Sequence, residues 1–197
     1  RKVGDRVAAF HLQGSHAERW AVPAEHTWLI PDGVEMPEAA VVPISFATAH
    51  HCLFTRGMLR HGETVLIQAA AGGVGLAAVQ LTSQAGATVI AVASGTQRRS
   101  RLLELGADHV VDRAEHNIVD RVRQYTQGTG VDLVIDPVGT TLPASLSALA
   151  PEGRLVFVGN AGGGSLTVDL WSPMQSNQTL MGVFMGPLFA RPGVRAS

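Results

Sequence analysis

The spacing of apolar residues along the chain changes between residues 45 and 60. Before that point the apolar runs are short, and 7–10 and 20–22 are predicted to be strands among turns rich in proline and glycine. After it, apolar runs alternate with stretches whose apolar positions fit a helix. The runs are 64–69, 88–93, 109–111, 131–135, 154–158 and 179–184, and the helical stretches are 74–84, 97–105, 118–127 and 142–149.

This alternation indicates parallel βαβ units, because strands separated by helices of this length return to the same edge of one sheet. Runs that are apolar on both faces also fit a sheet covered by helices on each side. Six strands match a complete doubly wound dinucleotide-binding fold. We therefore predict an α/β fold with a doubly wound parallel sheet of the Rossmann type. A helix over 39–40 and 45–54 should precede it, with Pro37 and Pro43 in first-turn positions.

Composition narrows the possible partners. With 197 residues, 46% of them hydrophobic, the chain can form one domain, or one domain with part of another. The formal net charge of −1 gives no overall field that would attract nucleic acid or an anionic membrane, so we expect a small-molecule partner. No apolar stretch reaches the roughly 18 residues that span a bilayer. Because the first residue is not methionine, we expect a piece of a longer chain.

The cysteine and histidine content argues against disulfides and metal. Cys52 is the single cysteine, which excludes an internal disulfide framework and a zinc site built from several thiolates. One free thiol suits a reducing compartment, so we predict a cytoplasmic protein. The eight histidines include no H-E-x-x-H pair. We therefore expect no metal ligand in this chain.

The strongest motif lies at residues 65–80, where a strand pattern runs into a helix pattern through Ala70-x-Gly72-x-x-Gly75. This is a variant of G-x-G-x-x-G with alanine in the first position. Gly72 would let the backbone approach a pyrophosphate closely, and Gly75 would let the helix pack tightly on the strand. The free N–H groups at the helix start would then face the anion. The alternative is an ordinary glycine-rich turn without a ligand.

The end of the second strand of this series indicates which cofactor binds. NAD-preferring folds place an Asp or Glu there to hold the ribose 2′-hydroxyl. Here Ser94 occupies the position, and no acidic residue follows until Glu104. Arg98 or Arg99 could bind a 2′-phosphate through paired hydrogen bonds. The alternative is that these arginines only solvate a helix, as we expect for Arg101. The pattern favours NADP, bound as NADPH, over NAD.

Three stretches together resemble a known family. They are 67–75 (IQAAAGGVG), 103–112 (LELGADHVVD) and 131–159, which contains VDLVIDPVG and PEGRLVFVG. Over residues 4–186 the chain resembles the medium-chain dehydrogenase/reductase superfamily, and within it the zinc-independent branch of NADPH quinone oxidoreductases. Enoyl reductase domains of polyketide synthases belong to the same branch.

The resemblance implies a division into domains. Residues 1–45 would be the C-terminal remnant of a mostly-β, GroES-like catalytic domain, and 46–186 the dinucleotide-binding Rossmann domain. Residues 187–197 would be a tail that leads to a missing C-terminal part. The last strand, 179–184, would lie at the sheet edge and pair with its copy in a homodimer.

The resemblance also implies which residues contact the cofactor. Thr48 matches a threonine that lies near the nicotinamide. Arg113 falls where relatives contact the adenosine phosphate, often through a tyrosine. Ile44 stands where zinc alcohol dehydrogenases carry a cysteine ligand, so no metal is implied. The implied pyrophosphate turn comprises Gly72, Gly73, Val74 and Gly75, and the stretch that borders the nicotinamide comprises Val158, Gly159 and Asn160.

These expectations combine into one function, an NADPH-dependent oxidoreductase that delivers hydride to an electron-poor alkene, enone or quinone. No catalytic side chain can be named, because the cofactor carries the chemistry. One alternative is an enoyl-thioester reductase domain of a polyketide synthase-type megasynthase, and another is a non-catalytic nucleotide-binding protein of the same fold. Asp136, at the end of a predicted buried strand, fits a ligand contact and a simple strand stop equally well.

Overall fold

The computed structural model describes residues 1–189, in two compact units. Among the described residues, one unit is formed by 1–47 with 184–189, and the other by Thr48–Val183. The predicted domain boundary at residue 45 lies close to this division, and most of the predicted tail, 187–197, lies outside the described residues. The GroES-like origin of the first 45 residues stays a prediction.

The first unit contains two short strands, β1 (Val7–Ala9) and β2 (Thr27–Leu29), which pair antiparallel. The prediction of a strand over 20–22 was wrong. The indole N–H of Trp20 instead donates to the Gln13 carbonyl oxygen at 2.9 Å and closes a loop. Strand-forming residue types are not sufficient, because a strand needs a partner in register, and β1 pairs with β2.

Helix α1 (Met36–His50) continues into a wider π-helical turn, His51–Arg56. The predicted helix before the sheet is therefore confirmed as one continuous element. Pro37 lies in the first turn as expected, but Pro43 lies inside α1, so its predicted first-turn position was wrong. A proline inside a helix removes one N–H donor from the hydrogen-bond ladder, and α1 nevertheless continues past Pro43 to His50.

The second unit is built on a six-stranded parallel sheet, as predicted. The strands lie in the order β5-β4-β3-β6-β7-β8, so β3 and β6 flank the point where the chain reverses its direction of winding. All five strand pairs are parallel. The strands are β3 (Thr64–Ile67), β4 (Thr88–Val92), β5 (His109–Val111), β6 (Val131–Asp136), β7 (Leu149–Phe157) and β8 (Thr179–Gly182).

Helices connect the strands and bury both faces of the central ones. Leu66, Ile90, Val134 and Leu155, from four neighbouring strands, are fully buried. The four predicted helices are confirmed within two residues at each end, whereas the short α6 and α7 were not predicted. The helices are α2 (Gly73–Gln84), α3 (Thr96–Glu104), α4 (Ile118–Tyr125), α5 (Leu142–Ala148), α6 (Trp171–Gln175) and α7 (Met185–Phe189). Within residues 1–189, none of the helices combines the length and apolar character needed to cross a membrane.

Candidate functional site

The turn from β3 to α2 is closed by its own backbone. Ala69 adopts a φ of 47°, in the left-handed region, and the Gly72 N–H donates to its carbonyl oxygen at 2.9 Å. A Cβ on Gly75 would stand 2.5 Å from that same oxygen and 2.6 Å from the Ala70 Cα. Only glycine therefore fits position 75 with the helix this close to the strand end.

The start of α2 presents unused backbone donors. The N–H groups of Gly73, Val74 and Gly75 have no backbone or side-chain acceptor among residues 1–189. Gly72 and Gly73 are exposed, and a Cβ on Gly72 would meet only the Ala69 carbonyl oxygen, at 3.3 Å. Free N–H groups at the positive end of a twelve-residue helix favour a phosphate group.

A cavity of about 350 Å³ opens at the carboxyl ends of the central strands. It combines the β3–α2 turn with the ends of β4, β5 and β6, which is where open α/β sheets bind ligands. No acidic side chain lines this cavity within the described part of the chain. Its lining includes Gln68, Gly72, Ser94, Arg98, Arg113 and Thr141.

Two of the cavity's side chains are cations without a partner. Arg98, at the start of α3, and Arg113, just after β5, are both exposed. Neither guanidinium takes part in an ion pair or hydrogen bond within residues 1–189. Two unpaired positive charges beside the free N–H groups of the β3–α2 turn make the cavity suited to a polyanion.

Arg99, one of the two arginines predicted as a phosphate contact, does not line the cavity. Its Nη1 pairs with Asp112 Oδ2 at 3.0 Å and lies 3.7 Å from Glu115 Oε2. The register of the sheet explains this, because Val92 of β4 lies opposite Val111 of β5 and so brings Asp112 beside the end of β4. Of the two arginines, Arg98 lines the cavity and Arg99 does not, and the phosphate contact stays a prediction.

Asp112, which directly precedes the cavity-lining Arg113, was not among the residues predicted from the sequence. Its side chain is buried, and its Oδ1 accepts the Ala114 N–H at 3.0 Å. This hydrogen bond, followed by the one from Arg99, lowers the pKa of the carboxyl group to about 2. The sequence has no acid between Ser94 and Glu104, and only the parallel pairing of β4 with β5 brings Asp112 beside the end of β4.

Asp136 fixes the β6–α5 loop, whose residues Val138 and Thr141 line the cavity. This fully buried carboxylate accepts the Val138 and Gly139 N–H groups at 2.9 and 3.1 Å. It also accepts the hydroxyl groups of Thr141 and Ser145 at 2.7 Å each. Asp136 is thus satisfied inside the protein and fixes the β6–α5 loop, which favours the structural interpretation over the ligand contact.

A buried hydrogen bond links α5 to the residue that precedes the β3–α2 turn. Gln68 Nε2 donates to Ser145 Oγ at 3.1 Å, and the Gln68 N–H donates to the Ile135 carbonyl oxygen at 3.0 Å. Gln68 directly precedes Ala69, so the turn is tied to β6 and α5. Hydrogen bonds therefore connect the wall formed by the β3–α2 turn with the wall formed by the β6–α5 loop.

The residues expected near the nicotinamide lie outside this cavity lining. Thr48 is buried in the last turn of α1. Val158, Gly159 and Asn160 follow β7, and the Val158 N–H donates to the Asp136 carbonyl oxygen at 2.9 Å. A Cβ on Gly159 would stand 2.9 Å from the Pro137 carbonyl oxygen, so the two loops touch. Their contact with a nicotinamide stays a prediction.

Cys52 is not a candidate nucleophile. It is fully buried, and burial raises the pKa of its thiol to about 12. Within the described residues, no group of three or more His, Cys, Asp or Glu side chains is placed to hold a metal ion.

Comparison with known proteins places the chain in a family. The model of a family described as zinc-binding dehydrogenase matches residues 73–192, more than half of the chain. The chain belongs to the medium-chain dehydrogenase/reductase superfamily, in its quinone oxidoreductase and enoyl reductase branch. The expected family is thereby confirmed.

Members of this superfamily with similar sequence include two kinds of protein. Compactin diketide synthase of Penicillium citrinum is 40% identical over 80% of this chain but 6% of its own length. Quinone oxidoreductase-like protein 2 of Rattus norvegicus is 34% identical over 94% of this chain and 53% of its own length. The chain therefore spans about half the length of that relative.

A solved structure shares the fold. The quinone oxidoreductase of Thermus thermophilus, whose structure was also determined with NADPH, is 36% identical, with a TM-score of 0.88. The similarity covers 98% of this chain and 62% of that protein. The Rossmann-type doubly wound sheet is thus confirmed by both topology and similarity.

Proposed function

We propose that the protein is an NADPH-dependent oxidoreductase that delivers hydride to an electron-poor alkene, enone or quinone. The observation that carries this proposal is the pair of partnerless arginines, Arg98 and Arg113, in a cavity that no carboxylate lines within residues 1–189 and that begins at the phosphate-binding turn. A dinucleotide with an additional 2′-phosphate satisfies both the N–H groups of α2 and these two cations.

The chain's own residues would bind and orient the cofactor. The free N–H groups of Gly73 and Val74 would hold the pyrophosphate, while Arg98 and Arg113 would hold the adenosine phosphate. When bound, NADPH supplies the hydride. The fixed loop after β6, held by Asp136, keeps Thr141 in the cavity wall. The protein's contribution is thus positioning and charge rather than a side-chain nucleophile.

Titration of NADPH and NADH tests this proposal. The wild-type protein should bind NADPH more tightly than NADH. Arg98→Ala should weaken NADPH binding by about 1.5–3 kcal/mol and leave NADH nearly unchanged, because a charge-assisted contact to the 2′-phosphate is lost. Arg101→Ala is the matched control, since Arg101 pairs with Glu104 on the exposed face of the same helix. Equal losses for both cofactors would refute the 2′-phosphate role.

A second candidate is an enoyl-thioester reductase domain of a megasynthase. The similarity to compactin diketide synthase supports it, because that relative is a polyketide synthase. The two candidates differ in the acceptor, so NADPH oxidation should be measured with a panel of quinones and with a crotonyl thioester. Turnover of the thioester alone would favour the megasynthase domain, and turnover of the quinones alone the independent reductase. Tight NADPH binding without turnover would indicate a non-catalytic nucleotide-binding protein.

We also propose that the reaction is independent of zinc and takes place in the reducing cytoplasm. Ile44 stands at the position of the cysteine ligand of zinc alcohol dehydrogenases, and Cys52, the single cysteine, is fully buried. Elemental analysis of protein purified without a metal-affinity tag should give far less than one zinc per chain. Stoichiometric zinc whose chelation abolishes activity would contradict the proposal.

Finally, we propose a homodimer through β8. This strand ends the sheet order, its residues carry no charge, and Leu180 is exposed. The neighbouring α6 exposes Trp171 and Met174. An apolar, unpaired edge of this kind promotes aggregation unless it is covered, and a two-fold axis lets two copies cover each other.

A further inference from the structure

Asp112 connects the two segments that carry the cavity's arginines, which are the start of α3 with Arg98 and the loop after β5 with Arg113. Its Oδ1 accepts the N–H of Ala114, the residue after Arg113, at 3.0 Å. Its Oδ2 accepts the N–H of Gly95, in the loop that leads to Arg98, at 3.5 Å. One carboxylate therefore holds both the N-terminus of α3 and the loop after β5.

This arrangement places a negative charge next to a site built for phosphate. Asp112 is ionised at neutral pH, since hydrogen bonds to Ala114 and Arg99 hold the pKa of its carboxyl group at about 2. Within residues 1–189, Arg99 is the one cation in salt-bridge distance of Asp112, at 3.0 Å. Without Arg99 the carboxylate would repel a 2′-phosphate and could accept a hydrogen bond from a ribose hydroxyl, as the acid of NAD-preferring folds does.

We propose that Arg99 determines the choice between NADPH and NADH by neutralising Asp112 rather than by touching the cofactor. The proposal rests on the NADPH preference proposed above. Arg99 is thus a positioning residue that acts through Asp112. The ion pair keeps the segments of Arg98 and Arg113 in place, and it neutralises the negative charge of the carboxylate. Direct contact between Arg99 and the phosphate is the competing arrangement, and it makes a different prediction for a double variant.

Cofactor binding by four forms of the whole protein separates these arrangements. Dissociation constants for NADPH and NADH should be measured by titration calorimetry for the wild type, Arg99→Ala, Asp112→Asn and the double variant. Arg99→Ala should raise the dissociation constant for NADPH about tenfold, because an unscreened carboxylate then faces the phosphate, and it should leave NADH unchanged or bound more tightly. Asp112→Asn in the Arg99→Ala background should restore NADPH binding to within about threefold of wild type.

Glu115→Gln in the same Arg99→Ala background is the matched control. Glu115 also lies near Arg99, at 3.7 Å, but its side chain is 61% exposed, so its charge is screened by water and its removal should not restore binding. Arg99→Lys retains the charge and should keep the NADPH preference. Thermal unfolding of each variant verifies that the fold is retained, which the partial exposure of Arg99 favours.

The outcomes distinguish this proposal from the function on which it rests. A double variant that binds NADPH as weakly as Arg99→Ala would overturn the indirect role, and so would an Arg99→Ala variant with unchanged binding. In either case a wild-type NADPH preference that Arg98→Ala removes would leave the proposed function intact. A wild-type protein without preference for NADPH would overturn both.

Discussion

Gly75 lies so close to the carbonyl oxygen of Ala69 that a Cβ on Gly75 would stand 2.5 Å from it. The same oxygen accepts the Gly72 N–H and thereby closes the turn. The contact between the two residues therefore sets both the helix–strand packing and the direction in which the first N–H groups of α2 point.

The two glycines of this turn should respond differently to alanine. Gly75→Ala should lower the free energy of unfolding by about 1–3 kcal/mol and weaken cofactor binding, because the strand end and the helix must separate. Gly72→Ala should cost about 1 kcal/mol of stability at most but still weaken binding, since its Cβ would occupy the phosphate's approach. Urea unfolding and NADPH titration measure the two effects. Equal stability losses for both variants would contradict the steric argument.

The ion pair between Glu63 and Arg154 should be a source of stability. Arg154 Nη2 lies 2.6 Å from Glu63 Oε2, Nε donates to the Gly57 carbonyl oxygen at 2.7 Å, and both charged side chains are largely buried. Arg154→Met should lower the free energy of unfolding by about 2–4 kcal/mol, because Glu63 is left buried without its partner. Arg101→Met should cost less than about 1 kcal/mol, because its pair with Glu104 is exposed. Similar losses in the two variants would show that burial does not matter here.

Asp112 should make stability depend on pH in the acid range. The folded-state pKa of about 2 lies below the usual value of 3.8, so the group stabilises the folded state above pH 4 and loses that contribution as pH falls toward 2. Asp112→Asn should therefore lose less stability than wild type between pH 5 and 2. Chemical unfolding across this range tests it, and parallel pH curves for the two proteins would contradict the assigned pKa.

Dimerisation through the edge of β8 can be tested with two proline substitutions. The Val183 N–H donates inward to the Phe157 carbonyl oxygen at 2.9 Å, so by alternation the N–H of Met181 also points inward and that of Leu180 points outward. Leu180→Pro should turn the dimer into a monomer while NADPH binding and the fold are retained. Met181→Pro removes a bond within the sheet and should lower stability instead.

Light scattering at micromolar concentration measures the dimer, and circular dichroism measures the fold. A wild-type monomer, or a Leu180→Pro variant that stays dimeric and folded, would exclude pairing through this edge.

The fold of the second unit was predictable because its signals are local. β3 and β4 are nearly continuous apolar runs, and β6 and β7 each contain a shorter one, Leu133–Ile135 and Leu155–Phe157. Turns separate these runs from the helices, so the strand order followed from the known rule for doubly wound sheets. The strand β2 was missed because Thr27–Leu29 is too short to show alternation, and the false strand over 20–22 had the right residue types without a partner.

The candidate site was predictable where it depends on one segment, and not where it depends on two. The turn around Gly72 follows from a single stretch of sequence, and so does the presence of two candidate arginines, Arg98 and Arg99, shortly after β4. The pairing of Arg99 with Asp112 follows only from the register of β4 against β5, which places Val92 opposite Val111. Sequence spacing alone could not distinguish Arg98 from Arg99, because adjacent residues on a helix point about 100° apart and the cavity's position decides between them.

In the hydrogen-bond network around Asp136, each group has a fixed role as donor or acceptor. A carboxylate accepts hydrogen bonds, so the Ser145 hydroxyl donates its hydrogen bond to Asp136. The Ser145 oxygen must then accept the hydrogen bond from Gln68 Nε2. Rotating the Gln68 amide by half a turn would bring its oxygen against the Ser145 oxygen, and the two lone pairs would repel. The Asp136 carboxylate therefore fixes the orientation of the Gln68 amide through two successive hydrogen bonds. The dipole of this amide consequently has one fixed direction in the cavity wall.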